Sequence, residues 1–183
     1  MMKDFIYPIL ALSLICLVMA GSLALVNNVT YPIIKEAAEE RAYETMRQIT
    51  PHVTQFELLD IEQFDHLPIT SAYRAIGQLD YIMQIWTEGY IFIINTHGFG
   101  GEMQVMVGIS WDGRILGSSV LAHNETISFA NRVFAISNEQ ESNGRSLLDV
   151  DAVSGATRTF RAYQNALNYA IEAFEIVRGT ANE

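Results

Sequence analysis

The hydrophobic pattern divides the chain into regimes of different period. Phe5 to Val26 is an unbroken apolar run of 22 residues, with Lys3 and Asp4 ahead of it and no charge inside. As a helix it reaches ~33 Å, enough to cross a hydrocarbon core of ~30 Å. The run exceeds the ~7–15 residues usual for the apolar part of a cleaved signal peptide. A retained transmembrane helix is therefore expected over 5–27, despite the small residues Ala20, Gly21 and Ser22. Asn27, Asn28 and Thr30 then mark an exit from the membrane, and Pro32 suits the first turn of a new helix. Ile34, Ala38, Ala42 and Met46 recur every four residues among Glu36, Glu39, Glu40 and Arg41, which predicts a linker helix over 28–50, stopped by Pro51.

From Ala72 onward the period falls to two. Tyr81–Trp86 and Tyr90–Ile94 read as strands parted by Glu88-Gly89. Met103, Val105, Val107 and Ile109 alternate with Gln104, Met106 and Gly108, and Trp111-Asp112-Gly113-Arg114 gives a hairpin signal before Ile115–Leu121. Phe129–Ile136 reads as a short helix, Asn138–Ser146 as a surface loop and Leu147–Val150 as a short strand. The helical period then returns, with Phe160, Tyr163, Leu167, Ala170, Phe174 and Val177 forming one stripe that should end near Gly179. The expected class is α+β: an N-terminal transmembrane helix, then one domain over 51–183 with a twisted antiparallel sheet flanked by helices.

Charge and composition remove several functions. The net charge of −10 has the wrong sign for a nucleic-acid binder. Cys16 is the only cysteine, so no intrachain disulfide or cysteine-held cluster can form. His52, His66, His97 and His123 lack zinc-site spacing, and no metal site is expected. The segment Val53–Asp65 carries Glu57, Asp60, Glu62 and Asp65 without a calcium-loop pattern and reads as a solvated acidic face. Neither a nucleophile elbow nor a dinucleotide-binding glycine pattern is present. Trp86 and Trp111 are assigned to the core.

The stretch from Asp151 to Thr159 carries the chemistry. Small hydroxyl and glycine residues, Ser154-Gly155-Ala156-Thr157, run straight into the closing helix. The start of a helix has N–H groups without intrahelical acceptors and a partial positive charge, so it favours an anion such as phosphate. Ser154 is placed to cap, Gly155 allows close approach, and Thr157 presents a hydroxyl where a phosphate can be held or esterified. A second glycine-rich segment, His97-Gly98-Phe99-Gly100-Gly101, is a turn between strands at which backbone can approach a flat ligand.

Asp151-x-x-Ser154-Gly155-Ala156-Thr157-x-Thr159 ahead of an amphipathic helix resembles the flavinylation motif of the FMN-binding domain family. With the anchor, Gly89–Phe92, the His97–Gly101 turn, Val107–Ile109, Asp112-Gly113-Arg114-Ile115-x-Gly117 and His123-Asn124-Glu125-Thr126 in order, most of the chain resembles the G subunit of the Rnf electron-transport complex. That protein is a relative of the C subunit of Na⁺-translocating NADH:quinone reductase. The resemblance implies an FMN esterified through its phosphate to Thr157 by a flavin transferase that uses Mg²⁺ and recognises Asp151. It places Ser154, Gly155, Ala156, Glu125, Thr126, Gly100 and Gly101 at the cofactor. It further implies an electron carrier, without turnover of its own, among the integral-membrane redox subunits of an ion-translocating ferredoxin:NAD⁺ oxidoreductase. Residues 1–4 would then be cytoplasmic and the FMN domain periplasmic. One loop departs from the pattern: Ile127-Ser128-Phe129-Ala130 stands where the family has Pro-Gly-Leu-Gly, so flavin-ring contacts do not carry over there. The alternatives are a flavoprotein like the C subunit of the quinone reductase and an anchored, non-redox interaction or sensor domain.

Overall fold

The computed structural model describes residues 2–79, 84–126, 133 and 155–180. They fall into two compact units, Met1–Tyr43 and Glu44–Glu183. The first belongs to helix α1, Met2–Ile49, whose apolar N-terminal part is long enough to cross a membrane. The expected break at Asn27–Pro32 is absent, and one helix covers both predicted ones. Polar residues do not interrupt it because a threonine hydroxyl can bond back to its own helix: Thr30 Oγ1 donates to Val26 O at 2.9 Å, as Ser22 Oγ does to Val18 O at 2.8 Å. Pro32 forfeits one backbone donor there without ending the helix.

The second unit is built on a five-stranded antiparallel meander in chain order. Its strands are β1 (Val53–Leu58), β2 (Ile69–Leu79), β3 (Gln84–His97), β4 (Glu102–Ser110) and β5 (Ile115–His123). The α+β class holds. The sequence pattern misplaced one boundary and named no strand at β1 or at β2, where it showed only a period of two from Ala72; of the expected strand Tyr81–Trp86, residues 81–83 lie outside the described residues. Glu88-Gly89 is no turn but the middle of β3, where Gly89 pairs with Ser110 and a Cβ would strike Ile109 O. The glycine serves a close strand approach, which a linear pattern cannot tell from a turn. The acidic segment contributes β1, paired to β2, and then a short 3-10 turn, Glu62–Phe64, that buries Phe64 edge-on to Phe92 with ring centroids 5.9 Å apart.

Helix α2 (Thr157–Thr180) packs on β3 and β4. Every residue of its predicted stripe is buried, from Phe160 to Val177, against Phe92, Ile94, Met103, Val105, Val107 and Ile109. The hydroxyl of Tyr163 is satisfied inside that core by Ser118 Oγ at 2.6 Å. The other face of the sheet carries the paired glycines Gly108 and Gly117, and Ile49 from the last turn of α1 lies against them. Trp111, expected in the core, is 69 % exposed, because it stands in the turn after β4, where the buried alternation has ended. The expected helix at 129–136, apart from helical Val133, and the expected strand at 147–150 lie outside the described residues.

Candidate functional site

Antiparallel pairing brings three distant segments to one end of the sheet. β3 and β4 are joined by the glycine turn, closed by Gly98 N–H donating to Gly101 O at 2.9 Å. β5 ends beside it, since Met103 pairs with His123. Asn124 and Glu125 therefore emerge next to the turn. The chain returns to this end at Gly155, whose φ of +83° favours glycine, and α2 starts at Thr157.

The first helical bond of α2 runs from Phe160 N–H to Ala156 O at 2.9 Å, so Ala156 holds the cap position. Ser154, expected to cap, lies outside the described residues, as do Asp151 and the departing loop Ile127–Ala130. No acidic residue occupies the first turn of α2 itself. Thr157 is half-buried at the mouth of a cavity of about 290 Å³, lined by Phe99, Glu125, Gly155, Ala156, Thr157, Arg158 and Thr159. Phe99 is 69 % exposed, and the Arg158 guanidinium lies 5.9 Å from its ring centroid, a cation–π arrangement at the rim.

Glu125 is the centre of this arrangement. The residue is 6 % exposed, and both carboxylate oxygens have donors. Oε1 accepts from Gly100 N–H at 2.9 Å, and Oε2 accepts from the buried Thr159 hydroxyl at 2.8 Å. The glycines of the turn make room for it. A Cβ on Gly98 would fall on Glu125 Oε1, and one on Gly100 would fall on Asn124 O. Gly100 thus meets the Asn124–Glu125 segment, whereas Gly101 is in the left-handed region at φ +131°. Thr126 is exposed and is not among the described residues that line the cavity.

Sequence reasoning placed Thr159 in the motif without a contact of its own, and had no role for Arg158 or Phe99. Thr159 carried a usable signal, a hydroxyl in the first turn of a helix whose neighbours Phe160 and Tyr163 face the core. Arg158 and Phe99 meet only through the fold. Among the described residues no group of three or more His, Cys, Asp or Glu is placed to hold a metal ion.

Residues 98–172 match the family model described as the FMN-binding domain. The match opens on the glycine turn and closes within α2, so all the residues around the cavity fall inside it. The G subunit of the ion-translocating oxidoreductase complex of Shewanella piezotolerans is 27% identical over 93% of this chain and 89% of its own length. The G subunit of the Na(+)-translocating ferredoxin:NAD(+) oxidoreductase complex of Acetobacterium woodii is 25% identical over 91% of this chain and 89% of its own. Its counterpart in the ion-translocating oxidoreductase complex of Methanosarcina acetivorans is 27% identical over 93% and 94%. Residues 98–172 are thus similar to the FMN-binding domain, and the chain is similar, across nine-tenths of its length, to the G subunits of ion-translocating oxidoreductase complexes.

Proposed function

We propose that the chain is a membrane-anchored electron-transfer subunit of an ion-translocating ferredoxin:NAD⁺ oxidoreductase complex, carrying FMN esterified to Thr157. The observation that supports it most is the convergence of the glycine turn, Glu125 and the start of α2 on one cavity with the Thr157 hydroxyl at its mouth, inside the stretch matched by the FMN-binding domain model. FMN supplies one- and two-electron transfer when bound, and the protein's task is to hold and orient it.

The residues present fit such a group. A phosphodiester keeps one negative charge, and the start of α2 stabilises an anion at that place. Gly155 provides a backbone turn without a Cβ, Phe99 gives an aromatic wall and Arg158 a cation at the rim. The two oxygens of Glu125 accept from Gly100 N–H and the Thr159 hydroxyl, which fixes where its negative charge sits.

Attachment needs an activated donor, since a phosphomonoester would have to expel oxide. The Thr157 Oγ–phosphorus bond forms while the phosphoanhydride of a flavin dinucleotide breaks. The nucleoside monophosphate leaves with the electron pair of the broken bond, and the Oγ proton passes to a base of the flavin transferase. Asp151 and Ser154 serve that enzyme's recognition, with Ala156 at the helix cap. Helix α1 anchors the chain in the cytoplasmic membrane with the FMN domain on the extracytoplasmic side. The neighbours are the integral-membrane redox subunits of the same complex, among which this chain passes electrons and turns over no substrate alone.

Co-expression with a flavin transferase followed by denaturing electrophoresis tests the reading. The protein band should fluoresce as flavin, and Thr157→Val should lose the signal while keeping a cooperative unfolding transition. A colourless wild-type band from a host that flavinylates a control protein contradicts the proposal.

A further inference from the structure

We infer that Glu125 is a positioning residue for flavin attachment, a buried clamp that ties the glycine turn to the first turn of α2 and thereby fixes how Thr157 is presented to the incoming phosphorus. The inference rests on the covalent-FMN reading and adds a role that neither the family resemblance nor the domain match assigns. Glu125 bridges two elements that are far apart in the chain. Oε1 takes Gly100 N–H on the turn at 2.9 Å, and Oε2 takes Thr159 Oγ1 on the helix at 2.8 Å. Thr159 lies two residues past Thr157, inside the same turn of helix, so holding its hydroxyl holds the rotation of that turn.

Two alternatives for a buried glutamate in this place fit less well. As a base for Thr157 it would need an oxygen directed at that hydroxyl, whereas the hydrogen bonds its two oxygens accept come from Gly100 N–H and the Thr159 hydroxyl. As core filling it would be a poor choice, because a carboxylate at 6 % exposure costs stability unless its hydrogen bonds are made. The glycines agree with the clamp: Gly98 and Gly100 are the positions where a Cβ would collide with Glu125 Oε1 and with Asn124 O. The turn is glycine-rich because this carboxylate and its backbone come so close to it.

Glutamine separates the clamp from a charge or base function. Its amide keeps the shape, accepts from Gly100 N–H and donates to Thr159 Oγ1, so the bridge survives without the charge. Alanine removes the bridge, and Thr159→Val removes its helical arm alone. The test measures the rate of covalent labelling of the full chain in detergent with purified flavin transferase, flavin adenine dinucleotide and Mg²⁺, below the melting temperature of each variant. Glu125→Ala and Thr159→Val should each label about 10- to 100-fold more slowly, since losing a hydrogen bond to a charged group lowers the population of the competent conformer by that order. The double variant should be no slower than the slower single one, because both act on one bridge. Glu125→Gln should label within about threefold of wild type, against the tenfold or greater loss expected when the bridge breaks.

Wild-type labelling rates in Glu125→Ala and Thr159→Val overturn the clamp, as do multiplicative effects in the double variant. Labelling of Glu125→Gln as slow as that of Glu125→Ala also overturns it, by assigning the role to the charge. If Glu125→Ala does not fold, Thr159→Val and Glu125→Gln carry the same decision between them. A wild-type chain that never labels defeats the covalent-FMN reading itself, whereas a wild type that labels beside an unaffected Thr159→Val defeats only the clamp.

Discussion

At Gly100 a single methyl group is enough to test the packing around the cavity. A Cβ there would meet the Asn124 carbonyl, which is backbone and cannot rotate away. Gly100→Ala should therefore destabilise the domain by about 1–3 kcal/mol, the usual cost of overpacking, as read from the urea midpoint. An unchanged midpoint would mean that the turn and the Asn124–Glu125 segment are not so closely packed. The same residue shows how far a sequence can be read. The glycines of 98–101 signal a close approach in one dimension, but the group that approaches, Glu125, lies 25 residues on from Gly100 and is fixed only by the β4–β5 pairing. The start of α2 was legible for the opposite reason: Gly155, Ala156, Thr157 and the apolar stripe are contiguous, and local geometry follows from local composition.

Among the elements, α2 was readable throughout because one helix face meets one sheet face and its stripe needs no partner to be recognised. The strands were less so. β3 runs through Glu88-Gly89, and β1 hides in an acidic stretch because an edge strand with exposed residues has no clean alternation. The β4–β5 hairpin was legible from Asp112-Gly113, and Gly113 has the expected positive φ of +89°. Its Asp112 also carries a pH signature. The Ser110 hydroxyl foremost, and the Arg114 guanidinium at 2.8 Å, hold the carboxyl below its ordinary value of 3.8 against the opposing effect of desolvation. A group whose folded value is depressed adds stability that is present above its unfolded value and lost as the pH falls through the folded one. The acid limb of the stability curve should thus steepen below about pH 4, and Asp112→Asn should flatten that limb while changing little between pH 6 and 8. An acid limb identical in the two proteins would contradict the assignment.

For the whole molecule, the sequence pattern identified an apolar span and an α+β domain, and both are present in the structure. Charge did not orient the chain, since Lys3 on one side and Lys35 and Arg41 on the other nearly balance under the positive-inside rule. The proposed extracytoplasmic placement of the FMN domain predicts that protease added to intact spheroplasts digests the domain; protection until lysis would contradict it. The account depends most on a single bond. Intact-mass and peptide mass spectrometry of the denatured chain, after co-expression with a flavin transferase, should show an addition equal to FMN less one water, confined to the peptide that contains Thr157 and absent from Thr157→Val. A flavin that dissociates on denaturation, or an adduct that persists in Thr157→Val, would contradict the assignment of Thr157 as the attachment point.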